Sequence, residues 1–491
     1  MQSRATQSRG SNQVAVRQYN ERLVLQTIRL KGALPKAELA RLIGLTPQTV
    51  THIVRDLEAD GLLVRGEPER GRVGQPSVPF DLNPDGAQSI GIHIGRRSTE
   101  IVLINQIGHI LAKLNTVYAY PEPEAILSFI ASSYRSLTKR KACHPNRLMG
   151  VGVCEPGNIA GWQQLLGAPP DILDHWNALD LGDAIEQAIG VTPLFCNDAT
   201  AACGAELLFG QGRHYANHLY TYIGSFIGGG LVIDGNLVIG RGGNAGAIGS
   251  MPLSPASREQ LIDRSSLLQL EEALVASGLD RTTLWKDPQG WEEHQGLVSK
   301  WIRDAAPGIA MAALSATALL ELDALIIDGA FPDWVKTELV IAVEQAANNL
   351  NWEGIERTFI VEGTCGFHAR AMGRPGCYPG YSAAISVTSD YVLAGSNEGW
   401  LRAFDIDNGE VLWEFDTTQA FTAVDGRIAQ GGSIGGGQAP LIVGDRLILN
   451  SGYAFAGKMP GNALLVFKLP ASDPQLTAGS GAQVFLESAA K

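Results

Sequence analysis

Cysteine is sparse in this chain and never spaced for metal. The six cysteines, at 143, 154, 196, 203, 365 and 377, form no C-x-x-C pair. That argues against a zinc cluster and gives no disulfide framework of the small secreted kind. Long apolar runs are missing too: no stretch of about 18 apolar residues occurs, so no membrane span is expected. The opening residues, MQSRATQSRGSNQ, lack the apolar centre of a secretory signal, and the cytoplasm is the expected compartment. Hydrophobic content of 45% and charged content of 18% exclude wholesale disorder. At 491 residues the chain exceeds what one core holds, and about three domains are expected.

The charge that is present is unevenly placed. Residues 1–80 carry 12 Lys and Arg against 7 Asp and Glu, a balance of +5 in a chain of net charge −12. A basic head on an acidic body suits a polyanionic partner for the head alone. In that head, after a disordered arm over 1–16, three short helical patterns follow one another. Asn20 is placed to cap the first, with Val24, Leu25 and Ile28 on one face and its end near Lys31-Gly32. The second runs from about Pro35 to Ile43 and stops at Gly44. Thr46-Pro47 then reads as an N-cap with proline at the first helical position. Val50, Ile53, Val54 and Leu57 fall at i, i+3, i+4 and i+7, one apolar stripe.

The opposite face carries Gln48, Thr49, Thr51, His52 and Arg55, side chains that reach base edges or phosphates. Helix, short turn and second helix is the helix-turn-helix arrangement. The following RGEPERGRVGQPSVPF reads as a wing whose Arg65, Arg70 and Arg72 are available to phosphate or the minor groove. A plain protein-interaction module is the competing reading of three short helices. The expected DNA contacts are Thr46, Gln48, Thr49, Thr51, His52, Arg55, Arg70 and Arg72, in a domain over 17–82.

From residue 88 the pattern changes. Ser89–Gly95, Glu100–Asn105 and His109–Leu114 predict an antiparallel meander. A helix over Pro123–Lys139 and a buried strand over Leu148–Cys154 follow, the strand ending at Glu155-Pro156-Gly157. Thr192–Cys196 predicts a strand leading into Asn197-Asp198 and the small-residue helix Ala199–Phe209. An acidic residue at a strand's carboxyl end is where α/β folds place their sites. LYTYIGSFIGGGLVIDGNLVIG reads as strand, glycine turn and strand, with Gly228, Gly229 and Gly230 able to bring backbone N–H groups to an anion. A plain glycine-rich hairpin is the alternative.

Residues 17–372 resemble the ROK family of repressors, open-reading-frame proteins and sugar kinases, in its regulator form. The pieces that carry the resemblance occur in order: the helix-turn-helix, GIHIG, VGVCEPG, FCNDATAACGAE, IGSFIGGGLVIDGNLVIG and GGNAGAIGS. The resemblance implies an actin-like two-lobed fold over 88–372 with a sugar in the cleft and, in the kinases, ATP on the glycine-rich turns. It also implies that Asp198 stands where the kinases hold their general base.

The departures from that pattern bear on chemistry. His93 stands where the kinases carry a phosphate-organising Asp. Ala247 and Ser250 replace a sugar-binding Glu and a zinc-binding His. After Ser250 no cysteine occurs until Cys365, so the zinc motif is absent, and the Asp328-Gly329-Ala330 segment lacks the double glycine usual near the nucleotide. Asp198 is then a vestigial base, and Asn197, Asp198, Gly157 and Gly246 are the expected ligand contacts.

The last residues follow another pattern. Tyr391–Ala394, Trp400–Phe404 and Glu410–Phe415 predict one meander, and Leu441–Val443, Arg446–Asn450 and Ala463–Phe467 a second. AGSNEGWLRAFDIDNGEVLWEF and NSGYAFAGKMPGNALLVF resemble the closing blades of PQQ-type quinoprotein propellers. Two blades do not close a ring, so residues 374–470 are expected to be a fused β-rich fragment without redox function, followed by a flexible tail over 471–491.

The expected whole is a multidomain α/β chain: winged helix-turn-helix, actin-like two-lobed sugar-kinase fold and partial β-propeller-like fragment. The expected function is a sugar-responsive repressor, homodimeric or a dimer of dimers, on double-stranded operator DNA, without zinc, ATP, PQQ or a membrane. A sugar kinase, a PQQ-type oxidoreductase fragment and a decayed gene fusion are the alternatives.

Overall fold

The computed structural model describes residues 11–68, 77–157, 169–240, 243–254, 257–373 and, within 386–486, a set of strands with short connections. The chain divides into two compact units, one of residues 26–375 and one of 1–25 with 376–491.

The head has helices α1 (Ser11–Lys31), α2 (Lys36–Ile43) and α3 (Pro47–Ala59) with strands β1 (Leu34–Pro35), β2 (Leu63–Arg65) and β3 (Pro79–Leu82). Helix α1 starts at Ser11, inside the stretch expected to be a disordered arm, so Asn20 lies within a helix and caps nothing. Gly44 ends α2 in the left-handed region at φ 69°, and Thr46 caps α3 by accepting from the Thr49 amide at 3.2 Å. Val50, Ile53, Val54 and Leu57 are all buried, as the stripe requires. Strand β3 pairs with both β2 and β1, which builds the wing; its tip, with Arg70 and Arg72, lies outside the described residues.

The body is two lobes of one topology. The first lobe's sheet contains β4 (Gln88–Ile94), β5 (Ser98–Asn105), β6 (Ile110–Val117), β7 (Leu148–Glu155) and β8 (Leu194–Asn197), in the order β6-β5-β4-β7-β8. The second contains β9 (His218–Ile223), β10 (Ile227–Ile233), β11 (Asn236–Val238), β12 (Ala324–Gly329) and β13 (Phe359–Glu362), in the order β11-β10-β9-β12-β13. In each, a three-stranded antiparallel meander is extended by two parallel strands. That repetition is the actin-like arrangement.

Helices α4 (Pro123–Thr138), α5 (Pro170–Ala178) and α6 (Leu181–Ile189) belong to the first lobe. Ile126, Ile130 and Ile185 from α4 and α6 pack on Ile90, Ile92 and Val153 of its sheet. Helices α8 (Leu267–Ala276), α9 (Gln295–Leu320) and α10 (Asp333–Asn348) cover the second. Helix α7 (Asp198–Phe209) and the one-turn α11 (Ala369–Met372) lie between the sheets. Gly91 is obligatory there, because a Cβ would stand 1.7 Å from the Ala371 carbonyl oxygen.

The C-terminal strands form two four-stranded antiparallel sheets, one of Ser386–Val387, Tyr391–Gly395, Trp400–Asp405 and Val411–Asp416, the other of Leu441–Val443, Arg446–Ser451, Ala463–Lys468 and Gln483–Leu486. Leu393, Leu401, Leu447, Leu465 and Phe467 share one core. The final strand falls in the stretch expected to be a flexible tail: Gln483–Leu486 pairs with Ala463–Val466. Periodicity failed to reveal it because four residues are too few to read alone.

Candidate functional site

The cleft between the lobes holds about 660 Å³ and is lined by segments of both. Strand β8 delivers Asn197 and Asp198 to its floor, where α7 begins. Asn197 caps that helix, its Oδ1 accepting from the Ala199 and Thr200 amides at 3.1 Å each. One edge of its side chain is therefore spent on the fold, and the Nδ2 edge faces Gly157. Asn197, Asp198 and Gly157 all line the cleft, together with Ala247 and Ser250.

Gly246 is not a lining residue. It sits at φ +79° against Gly230, whose backbone carbon would be 2.7 Å from any Cβ there. The glycine triplet also departs from expectation, since Gly228–Gly230 form the body of β10 and not a turn. The turn falls at 224–226, where the meander reverses. A Cβ on Gly228 would press on Ala199 at 2.9 Å, one on Gly229 on the Gly246 carbonyl at 2.6 Å, and one on Gly230 on Cys203 at 2.3 Å. The triplet lets α7 and the 243–250 loop approach the sheet. Only Gly228 and Gly229 reach the cleft.

Asp198 is surrounded by basic groups. Its Oδ2 is 3.5 Å from Arg370 Nη1 and 3.9 Å from His93 Nε2, the latter too long for a hydrogen bond. Burial would raise its carboxyl, yet His93, Arg370 and Arg96 together hold it down at about 2. Burial, followed by the Arg370 charge, pushes His93 down to about 4, so it is neutral near pH 7. Burial and the charge of Asp198 raise Glu155, at the end of β7, to about 7.

Arg96 and Arg370 were not anticipated from the sequence. Arg96 directly follows GIHIG, where its neighbourhood was readable. Arg370 comes from α11, far along the chain, and only folding brings it to Asp198. Arg96 lies over the Phe226 ring at 4.5 Å and Arg370 over Tyr222 at 4.6 Å, positions that suit a weakly hydrated guanidinium.

On the head, Gln48, Thr51, His52 and Arg55 are exposed on α3 opposite its buried stripe. Thr46 and Thr49 bond each other at 2.8 Å in the cap, and the Thr51 hydroxyl donates back to the Pro47 carbonyl at 2.7 Å. Arg55 bonds its neighbour Asp56 at 3.1 Å, and Arg65 is held by Glu58 at 3.0 Å. Gln48, His52 and Arg55 thus form the outward reading edge.

A helix-turn-helix ahead of a two-lobed sugar-kinase-like fold is the build of a ligand-responsive DNA-binding protein. Residues 17–64 match the winged helix-turn-helix DNA-binding model and residues 89–261 that of the ROK family. The chain therefore carries a ROK-family domain behind a DNA-binding winged helix. An uncharacterized protein, y4fQ, of Sinorhizobium fredii is 27% identical over 74% of this chain and 91% of its own length. The xylose repressor of Bacillus spizizenii is 26% identical over 50% of this chain and 62% of its own. The dual regulator NagC of Escherichia coli is 26% identical over 49% and 59% respectively. The chain thus spans about three-fifths of those two regulators' length. In fold it is similar to a crystal structure of a ROK family transcriptional regulator, a homolog of E. coli MLC, with a TM-score of 0.53 and 20% identity over 73% of this chain and 95% of that one.

Proposed function

We propose that the protein is a DNA-binding transcriptional repressor of sugar metabolism or transport genes, whose cleft holds a sugar-type effector without phosphorylating it. The observation that carries this reading is the path of α7. It begins at Asn197-Asp198 in the cleft and ends at Phe209, whose ring lies 5.5 Å from the Arg29 guanidinium of α1. Arg29 also donates to the Gln106 carbonyl at 3.1 Å, and Gln106 donates to the Leu62 carbonyl of the head at 3.1 Å. One rigid helix of about three turns thus touches both the ligand cleft and the DNA-binding domain. A ligand that prefers one arrangement of α7 alters operator affinity through that contact.

Phosphoryl transfer is disfavoured by the same geometry. A carboxylate held at about 2 by Arg370 and Arg96 is a poor acceptor for a sugar hydroxyl proton. Neither zinc nor a nucleotide is required. The protein works in the cytoplasm as a homodimer, which sets two α3 helices on half-sites about one helical turn apart or a multiple of it. No helix among the described residues is long and apolar enough to cross a membrane. The two C-terminal sheets are read as propeller-type blades without a redox site.

A gel-shift of the purified chain against its own upstream DNA, at two salt concentrations and with a panel of sugars, tests the reading. A specific, salt-sensitive shift that one sugar alters is expected. Sugar-dependent ATP turnover that disappears in Asp198→Ala would overturn the non-enzymatic assignment.

A further inference from the structure

Two guanidinium groups face one cleft in this protein, and both are incompletely satisfied. Arg370 is only 7% exposed, and Arg96 is half-buried; both line the cavity. In each, the Nε atom is shut off from solvent and has no hydrogen-bond partner among the described residues. A buried N–H left unpaired is costly, and arginine cannot escape the cost by losing its proton.

The carboxylates nearby do not balance these cations. Asp198 is shared, lying 3.5 Å from Arg370 Nη1 and within electrostatic reach of Arg96. Glu100 is occupied by His368 Nδ1 at 2.6 Å. Glu155 is raised toward neutrality by burial and by Asp198. His93 is neutral near pH 7 and contributes no charge of either sign.

A neutral sugar hydroxyl can accept from an Nε–H but leaves the positive charge uncompensated. A carboxylate or phosphate answers both, and its oxygens match the planar donor fork of arginine. The rest of the lining leaves room for such a ligand: Ala247 and Gly249 are small, while Asn197 and Asn244 offer neutral donors and acceptors for hydroxyls.

On the reading that this cleft is the effector site, we propose that its ligand is an anionic polyol, a sugar acid or sugar phosphate, held by Arg96 and Arg370.

The test is calorimetric titration of the full chain with glucose, gluconate and glucose 6-phosphate, with inorganic phosphate alongside. At least one anionic polyol is expected to bind about tenfold or more tightly than glucose, as for a charge-assisted pair. The gluconate and 6-phosphate arms separate carboxylate from phosphate. Arg96→Gln is expected to reduce the preference about tenfold, and Arg96→Lys, which keeps the charge but loses the fork, to restore part of it. Arg370→Gln is a second variant, measured on protein whose melting curve shows it folded.

Equal or tighter binding of glucose, an anion preference untouched in Arg96→Gln, or no binding by either anionic polyol overturns the proposal. The repressor reading stands or falls separately, on the ligand-free operator shift. A neutral sugar that binds and alters that shift would keep the sugar effector while removing the anion.

Discussion

Arg97 and Glu271 meet with both side chains fully buried, the Nε and Nη2 atoms donating to one carboxylate oxygen at 3.1 and 2.9 Å. Trp285 Nε1 donates to the other oxygen at 2.8 Å. Arg97 follows β4 in the first lobe and Glu271 lies on α8 in the second, so the pair ties the lobes together. Replacing one partner leaves an uncompensated buried charge. Arg97→Met is expected to cost roughly 3–5 kcal/mol, read as a lower midpoint in denaturant unfolding of the body.

His93 gives a pH dependence whose sign follows from its environment. Burial, then Arg370, lowers it from 6.5 to about 4. Between those values the unfolded chain binds the extra proton. The stability from this site is therefore complete above about pH 6.5 and is lost as pH falls toward 4. His93→Gln should narrow the fall in melting temperature between about pH 7 and about pH 5. An equal fall in both proteins would remove His93 as a cause.

At the scale of elements, α3 separates its two duties by face. The buried stripe holds it to the head, and the exposed edge reads DNA. Arg55→Ala is expected to weaken operator and random DNA alike, with a salt slope shallower by about 0.9 for one lost phosphate contact. Gln48→Ala should instead relax discrimination between operator variants, as measured by competition gel-shifts. Elsewhere, Gly91 sets how closely α11 rests on the first sheet. Gly91→Ala should displace Ala371 and with it Arg370, weakening ligand binding by calorimetry before DNA binding is affected.

At the scale of the molecule, the head is fixed to the first lobe by several backbone-directed bonds. Asn83 Nδ2 donates to the Gly61 carbonyl at 2.6 Å, and Arg147 Nη1 to the Asp60 carbonyl at 2.6 Å. These leave the Arg29–Phe209 stack as the direct link from head to α7. Arg29→Leu is expected to keep ligand affinity but shrink the ligand-induced change in operator binding severalfold. An unchanged response in paired gel-shift titrations would show that coupling runs elsewhere.

Much of this was legible because its signals are local. The α3 stripe, the Thr46 cap, the meander before Asp198 and the helix after it depend on residues a few positions apart, and the structure keeps all of them. The errors arose where neighbours in space are distant in sequence. Gly228–Gly230 read as a phosphate turn because the sequence does not reveal that Ala199, Cys203 and Gly246 crowd each Cβ position. Gly246 read as a contact for the same reason.

The sequence by itself determined the order of domains, the DNA-reading edge of α3 and the delivery of Asn197 and Asp198 to the end of a strand, because periodicity and capping act within a few residues. Only the tertiary structure decided the electrostatic character of the cleft. Arg370 reaches Asp198 from 172 positions away through the packing of α11 against the first lobe. Charge interactions depend on distance and burial, which no local pattern encodes.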